Sequence, residues 1–382
     1  MPAHSPSIQS VAIVGAGIIG LSCALALADR DVNVTLYEKQ WPPRGASWAA
    51  AGMLAPAYEA ASAPGTHPRL FDLCHASAAL WGQWAAMLED RSGLPSGYTP
   101  GPSLAIALSA AEADRLSRIQ AQLAHQTLPP EPCLDRLSAV EPALATPVEA
   151  ALLLPSDGQV DNRRTLEALI AAVSTDPKIT IVTGVPPLRM SSRGVDHAGH
   201  GATLVTAGWR SAEVLASSDA PVKTLQDLDP VFAEIEAFGG QMLSVAPIEG
   251  GPTMTIRSGH LYIVPKSDRV VIGATTEPGR TDGQTDDQAI HSLRQRAIAL
   301  CPALEAAPVL ETWAGVRPGT RDHAPLLGET RVERLFVAAG HYRNGILLAP
   351  ITAQIMADLI VAGEVSELAS EFAPHARFAT PV

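Results

Sequence analysis

The chain has 382 residues, 47% of them hydrophobic and 17% charged, enough for a large core and, by length, for two domains. A formal net charge of -12 without Lys/Arg runs excludes a nucleic-acid or anionic-membrane surface as the expected partner, but leaves room for a locally basic site for a small anion. The four cysteines, Cys23, Cys74, Cys133 and Cys301, are far apart and form no C-x-x-C, so reduced thiols in a cytoplasmic protein are expected.

Val11-Ala12-Ile13-Val14 is a short apolar run suited to a strand buried on both faces. Gly15-Ala16-Gly17-Ile18-Ile19-Gly20 follows at G-x-G-x-x-G spacing. Leu21, Ala24, Leu25 and Ala28 then recur at helical spacing, and Val32, Val34 and Leu36 alternate as in a second strand, closed by Glu38. In such a unit Gly15 permits the tight turn, Gly17 lets the backbone approach a pyrophosphate, and Gly20 lets the helix pack close to the strand. Glu38 lies where an acid accepts hydrogen bonds from a ribose, so this context predicts dinucleotide binding. The charge-free run from Val11 to Ala28 also resembles a membrane span or a secretory signal, with Ala26-Leu27-Ala28 like a cleavage site. Met1 to Ser10 holds no Lys or Arg, however, and a strand follows at once, which favours the nucleotide reading.

The small residues Ala49 to Gly52 suit either a backbone passing close to something flat or the start of an Ala-rich helix. Leu70 to Leu88 reads as a helix with Leu73, Leu80, Trp84 and Leu88 available for one face. Gly93 to Ser103 reads as a loop, and Ser109 to Leu123 as a helix capped by Ser109. His125 to Pro147 is irregular; Asp161 or Asn162 caps a helix through Val173. Ile179 to Val182 and Thr203 to Ala207 read as strands, and Gly208 ends the second where a cofactor can approach the backbone. Pro221 to Pro230 reads as a connection. Gln241 to Ala246, His260 to Pro265 and Arg269 to Ala274 suggest an antiparallel sheet in a second domain. Asp286 to Leu300 is a helix with Ala289, Leu293 and Ile298 inward. Leu335 to Ala339 is an apolar strand, followed by a loop at Gly340 to Gly345 and a helix from Ile346 to Ile360 that Gly363 ends. The eleven histidines show no metal-ligand spacing, so no metal is expected.

Five motif blocks carry a resemblance. They are Val11 to Glu38, Ala49-Ala50-Ala51-Gly52-Met53-Leu54, His260-Leu261-Tyr262-Ile263-Val264-Pro265, Trp313 to Thr320, and Gly340-His341-Tyr342-Arg343-Asn344-Gly345-Ile346-Leu347-Leu348-Ala349-Pro350. Together they resemble the glycine oxidases of thiamine biosynthesis, within the FAD-dependent amine oxidases that include D-amino acid oxidase. The likeness runs from about Val11 to Ile360. It implies an α/β protein, α+β overall, in which a Rossmann-like FAD-binding domain is interrupted by an inserted antiparallel-sheet substrate domain. The implied FAD-binding segments are 8-90, 145-225 and 310-365; the substrate segments are 91-144 and 226-309, with a C-terminal tail at 366-382.

The resemblance implies non-covalent FAD along Gly15, Gly17, Ile18, Ile19, Gly20, Glu38 and Lys39. The isoalloxazine is expected against Ala46, Ser47, Ala51, Gly52 and Met53, and against the loop His341, Tyr342, Arg343, Asn344, Gly345, Ile346 and Leu347. The helix after that loop is expected to aim its N-terminus at the flavin edge that gathers negative charge on reduction. Arg317 and Tyr262 are implied as ligands of the substrate carboxylate, with Arg343 and His260 nearby. The chemistry agrees, because a buried carboxylate needs a partner and an arginine fork supplies two parallel hydrogen bonds. No side chain is assigned as a general acid or base, since a flavin takes a hydride directly from the carbon beside a neutral amine.

The implied reaction oxidises glycine or a related small amine (sarcosine, a D-amino acid) to an imine that is then hydrolysed. O2 is reduced to H2O2, the product supplies thiamine thiazole biosynthesis, and homo-oligomers are possible. Two other readings are a D-amino acid or sarcosine-type dehydrogenase with another electron acceptor, and a flavin-binding module without catalysis; Arg317 with Tyr262 argues against the second. The sequence departs from the family pattern at several places. Trp48 stands where a small or hydroxylated residue is usual, Gly239-Gly240-Gln241 lacks a preceding basic residue, Trp209 is shifted by one, and Thr276 stands where Met can occur. These differences bear on the substrate more than on the cofactor.

Overall fold

A computed structural model describes residues 8–59, 65–145, 147–184, 188–191, 194–197, 199–216 and 224–377. The start of the Pro221 to Pro230 connection and the end of the C-terminal tail lie outside the described residues.

Ser10–Val14 forms the centre of a six-stranded sheet. Its order is Leu326–Glu329, Leu335–Ala339, Ala202–Val205, Ser10–Val14, Asn33–Glu38 and Ile179–Thr183. Every neighbouring pair is parallel except the outermost, where Leu326–Glu329 runs antiparallel to Leu335–Ala339. The chain passes from Ser10–Val14 to Asn33–Glu38 on one side and later reaches Ala202–Val205 on the other. That reversal makes a switch point, and the crevice outside the carboxyl ends of these strands is where ligands bind in such sheets.

The helix Ile18–Ala28 is buried on nearly all sides, with Ala26 alone half-exposed. The sheet lies on one side, and the helices Asn162–Thr175 and Ala349–Ala362 on others. A helix enclosed in this way is apolar all round. This is why Val11 to Ala28 carries no charge and looks like a membrane span. Among the described residues, no helix is long and apolar enough to cross a membrane.

The second sheet runs Glu277–Pro278, Glu236–Val245, Val270–Gly273, Leu261–Pro265, Ile256–Ser258, Ser103–Ala107, Ala150–Leu154 and Glu131–Pro132, with Val309–Gly319 on the free side of Glu236–Val245. It is antiparallel apart from the pair Ile256–Ser258 and Ser103–Ala107. Three of its strands match expectation with shifted ends. The other six were not expected, the longest of them being Ser103–Ala107, Ala150–Leu154 and Val309–Gly319. Ala-rich and Gly/Pro-containing runs have low intrinsic β propensity, and here pairing with neighbouring strands decides. Ala150–Leu154 and most of Val309–Gly319 fall in segments expected for the cofactor domain, yet they lie in this second sheet. Helix Asp287–Leu300 packs on the sheet through Leu293, Ala297 and Leu300; the expected Ala289 and Ile298 are only half-buried.

Helix Leu70–Ser92 runs past its expected end to Gly93, which adopts φ 67 as a left-handed cap. Its buried stripe is Leu73, Ser77, Trp81, Ala85 and Leu88, while Leu80 and Trp84 flank it half-exposed. Trp81 takes the central place because its Nε1 donates to the Leu347 carbonyl at 2.8 Å. Asp161, rather than Asn162, caps the helix Asn162–Thr175 by accepting from the backbone N–H of Arg163 and Arg164. Ala202–Val205 ends before Gly208, which instead opens a 3₁₀ turn with φ 62. The last helix starts at Ala349, three residues later than expected, because Asn344 to Leu348 first make a turn closed by Leu348 N–H to the Asn344 carbonyl at 2.8 Å.

Candidate active site

A cavity of about 1030 Å³ opens at the switch point and continues along the second sheet. This is at the upper end of the usual range for small-molecule sites, as a dinucleotide plus a small substrate requires. Every residue expected at the site lines it except Gly20 and Leu347. Gly20 lies inside the first helix, where an added Cβ would overlap the Gly15 carbonyl and come 2.6 Å from Thr206 Oγ1. Leu347 is buried behind the site, and its carbonyl accepts hydrogen bonds from Ser77 Oγ and Trp81 Nε1.

At the nucleotide end, Gly15 has φ 107 and an added Cβ would stand 2.7 Å from the Thr206 carbonyl oxygen. Gly17 differs, because a Cβ there would meet only Ser47 Oγ, at 3.3 Å. The first N–H groups of helix Ile18–Ala28 have no intrahelical partner, and that of Ile18 donates to Ser47 Oγ at 3.0 Å. Glu38 Oε2 accepts from the Ala16 N–H at 2.7 Å, so the acid sits beside the glycine turn. A cradle floored by glycine, helix N–H groups and an acid at the end of the second strand fit a dinucleotide such as FAD.

The small-residue stretch does not start a helix: it follows one. Ala46–Ala49 is one helical turn, and Ala50 to Gly52 then run along the cavity wall. Gly52 has φ 76, and a Cβ on it would run into the Val160 carbonyl. Asn162 Nδ2 donates to the carbonyls of Ser47 and Trp48, both at 2.9 Å, and Trp313 Nε1 donates to that of Ala49 at 2.9 Å. Trp48 does not line the cavity. Its ring packs between the Arg163 guanidinium, 3.9 Å away, and Trp313. A large residue is therefore accommodated behind the wall.

At the other end, Arg317 lies on Gly240, where a Cβ would stand 2.7 Å from Nη2. Glycine at this place is what lets the guanidinium lie flat against the strand. Arg317 Nη1 donates to the carbonyls of Gly239 and Thr275, both at 3.3 Å, and has no carboxylate partner among the described residues. Tyr262 lies over Gly273 in the same manner. Burial raises the Tyr262 phenol, and the positive charge of the nearby Arg317 guanidinium opposes the shift. The hydroxyl thus stays protonated near neutrality and can donate. Arg343 is exposed at the rim and its Nη2 reaches Thr276 Oγ1 at 3.5 Å. His260 is also at the rim; partial burial, then Arg343, holds its imidazole below the ordinary value.

In the last loop, Tyr342 adopts φ 49, fixed by its N–H to the Pro318 carbonyl at 2.6 Å. Its ring packs on Phe238 and stacks on His323. His341 is fully buried, with Nε2 3.1 Å from Thr352 Oγ1, and burial pushes its imidazole down to about 3. The folded state holds this ring neutral, whereas the unfolded chain protonates it near ~6.5. Its stability contribution is therefore complete above that value and is lost as pH falls through about 3. His341→Gln, which keeps a hydrogen-bonding group near Thr352, is expected to flatten Tm against pH across this interval. An acid limb identical to that of the wild type would contradict the assignment.

Among the cavity-lining charges outside the expected set are Arg257 and Glu59, with Arg44, Arg210, Glu213 and Asp282. Arg257 lies in Ile256–Ser258, which faces Tyr262 across a tight hairpin. The signal was available only as a lone charge beside Ile256, just before a strand that was expected to begin at His260. Asn162 was expected only as a cap.

The FAD dependent oxidoreductase (DAO) family profile matches residues 10–359. The chain is 36% identical over 376 residues to a glycine oxidase of Geobacillus kaustophilus, covering 95% of each chain. It is also 36% identical over 381 residues to a bifunctional ThiO/ThiG protein of Synechocystis, covering 97% of this chain but 54% of that relative, so the chain spans about half of such bifunctional proteins. The crystal structure of glycine oxidase from Geobacillus kaustophilus superposes with a TM-score of 0.84 at 31% identity, covering 97% of this chain and 100% of that one. That of glycine oxidase from Bacillus cereus gives a TM-score of 0.82 at 29% identity, covering 98% and 100%.

Proposed function

The chain belongs to the FAD dependent oxidoreductase (DAO) family, and on that premise we propose that it oxidises glycine and related small amines, among them sarcosine and D-amino acids, with O2 as electron acceptor. The observation that carries this reading is the Arg317 guanidinium. It has no carboxylate partner among the described residues, stands beside a protonated Tyr262, and shares one cavity with the nucleotide cradle. The identities to proteins named glycine oxidase support it.

In this proposal Arg317 holds the substrate carboxylate as a fork and Tyr262 adds a hydrogen bond. The Gly239 and Thr275 carbonyls aim the fork, and the glycines beneath both side chains fix their height in the cavity. The turn Ala46 to Met53 and the loop His341 to Ile346 hold the flavin, with its nucleotide end along Gly15 to Ile19, Glu38 and Lys39. Bound FAD supplies a two-electron acceptor, so the protein's own task is to orient the α-carbon and keep the carboxylate paired. The net reaction consumes glycine, O2 and water and yields glyoxylate, ammonia and H2O2. Arg343 and His260 shape the rim. The proposal further includes a cytoplasmic location, supply of thiamine thiazole biosynthesis in keeping with the ThiO/ThiG relatives, and the division into a cofactor domain and an inserted substrate domain.

The test is an aerobic panel of glycine, sarcosine and D-alanine scored for H2O2. One H2O2 per amine consumed is expected with at least one of the three. Amine consumption that needs an artificial dye and yields no H2O2 would replace the oxidase with a dehydrogenase.

A further inference from the structure

Arg257 is 6% exposed, yet it lines the cavity. Its strand pairs with Leu261–Pro265 in a register that sets Arg257 directly opposite Tyr262, so the two side chains leave the same face of the sheet. The guanidinium rests on the Tyr58 ring, 3.5 Å from its centroid, with Arg115 4.1 Å from the same ring. Its nearest carboxylate oxygen is Glu59 Oε1 at 3.8 Å, beyond hydrogen-bond distance. Among the described residues it makes no hydrogen bond of its own.

A buried guanidinium with unused donors is costly, and buried arginines are normally tied to carboxylates at short range. Arg269 in this same chain shows the ordinary arrangement, bonding Asp161 at 2.9 Å and Asp268 at 2.8 Å. Arg257 departs from it and does so facing the cavity. A small amino acid with one carboxylate satisfies Arg317 and leaves Arg257 as it is. Two arginine forks on either side of one tyrosine, in a chain whose net charge is -12, match a ligand with two carboxylates.

We propose that Arg257 forms a second carboxylate subsite, and that the substrates of this enzyme include small amines bearing a second carboxylate on the amine nitrogen or on the α-carbon. This rests on Arg317 and Tyr262 being the first carboxylate site. The chemistry at the reacting carbon is unchanged. With iminodiacetate, for example, one methylene C–H and the amine N–H are lost as O2 is reduced to H2O2, and one water then hydrolyses the resulting imine to glyoxylate and glycine.

The experiment uses wild-type FAD-loaded enzyme. Malonate and succinate are compared with acetate and propionate as competitors of glycine oxidation and, separately, as ligands that raise Tm. At least one dicarboxylate is expected to compete about tenfold better than either monocarboxylate, the low end of what hydrogen bonds to a charged group contribute, and to raise Tm further. Iminodiacetate and D-aspartate, scored for H2O2, separate attachment at nitrogen from attachment at carbon. Arg257→Met is expected to lower the ratio of dicarboxylate to monocarboxylate affinity about tenfold, with partial rescue by Arg257→Lys. Glu59→Gln, which removes the competing carboxylate, is expected to raise that ratio, and it decides the matter if Arg257→Met does not fold. Equal competition by mono- and dicarboxylates in the wild type, with glycine still oxidised, would overturn the Arg257 subsite alone. Failure of every carboxylate to compete, together with no glycine oxidation, would overturn the first site and the subsite with it.

Discussion

Arg317→Ala is expected to cost about 2–5 kcal/mol of transition-state stabilisation on glycine, as when one partner of a buried charge pair is removed. The carboxylate is bound in ground and transition states alike, so much of the loss should appear as a raised KM. A further fall in kcat is expected where the substrate tilts away from the flavin. Arg317→Lys should remain impaired, because a lysine keeps the charge but not the planar fork that the Gly239 and Thr275 carbonyls aim. FAD content should be unchanged. A simple alkylamine, with no carboxylate to hold, should lose much less than glycine on the same substitution. Steady-state kinetics on both substrates decide this. Equal losses on the two, or unchanged glycine kinetics, would remove Arg317 from the site.

The second large effect separates two glycines of one motif. Gly17→Val is expected to give folded protein without FAD, because a Cβ at this position meets only Ser47 Oγ and otherwise enters the cavity where the pyrophosphate must approach. Gly20→Ala is expected to fail differently. Its Cβ would overlap the Gly15 carbonyl, which is backbone and cannot turn aside, so strand and helix must separate. Overpacking of this kind typically costs about 1–3 kcal/mol and occasionally more. Thermal unfolding of the two apoproteins, with flavin absorbance after reconstitution, tells them apart. Full FAD occupancy in Gly17→Val would show that this glycine does not face the cofactor. A Gly20→Ala protein as stable as the wild type would show that strand and helix are not in close contact.

The nucleotide half of the site was legible in the sequence because its signals are local. Ser10–Val14, the glycine turn, helix Ile18–Ala28 and Glu38 follow one another within a single unit, and each residue type has one physical reason to be there. The second sheet was legible only in part. Ser103–Ala107, Ala150–Leu154 and Val309–Gly319 have weak strand composition and are strands because neighbours far away in sequence pair with them. The same distance hid the logic of the substrate end. Gly239-Gly240 reads as a departure from pattern in the sequence, whereas in the fold Gly240 is the surface on which Arg317 lies. Trp48 reads in the sequence as a departure from a small or hydroxylated position, whereas in the fold its ring packs behind the wall with Arg163 and Trp313. Arg257 went unassigned because its meaning depends on facing Tyr262 across a hairpin whose register the sequence does not state.

In the proposed reaction one cavity brings a small amine to a bound flavin. It is tested most directly by mixing the FAD-loaded protein with glycine in the absence of oxygen and following flavin absorbance. Bleaching of the yellow colour is expected, with its return on admission of air and H2O2 equal to the flavin reoxidised. A flavin that stays oxidised with glycine, sarcosine and D-alanine alike would contradict it.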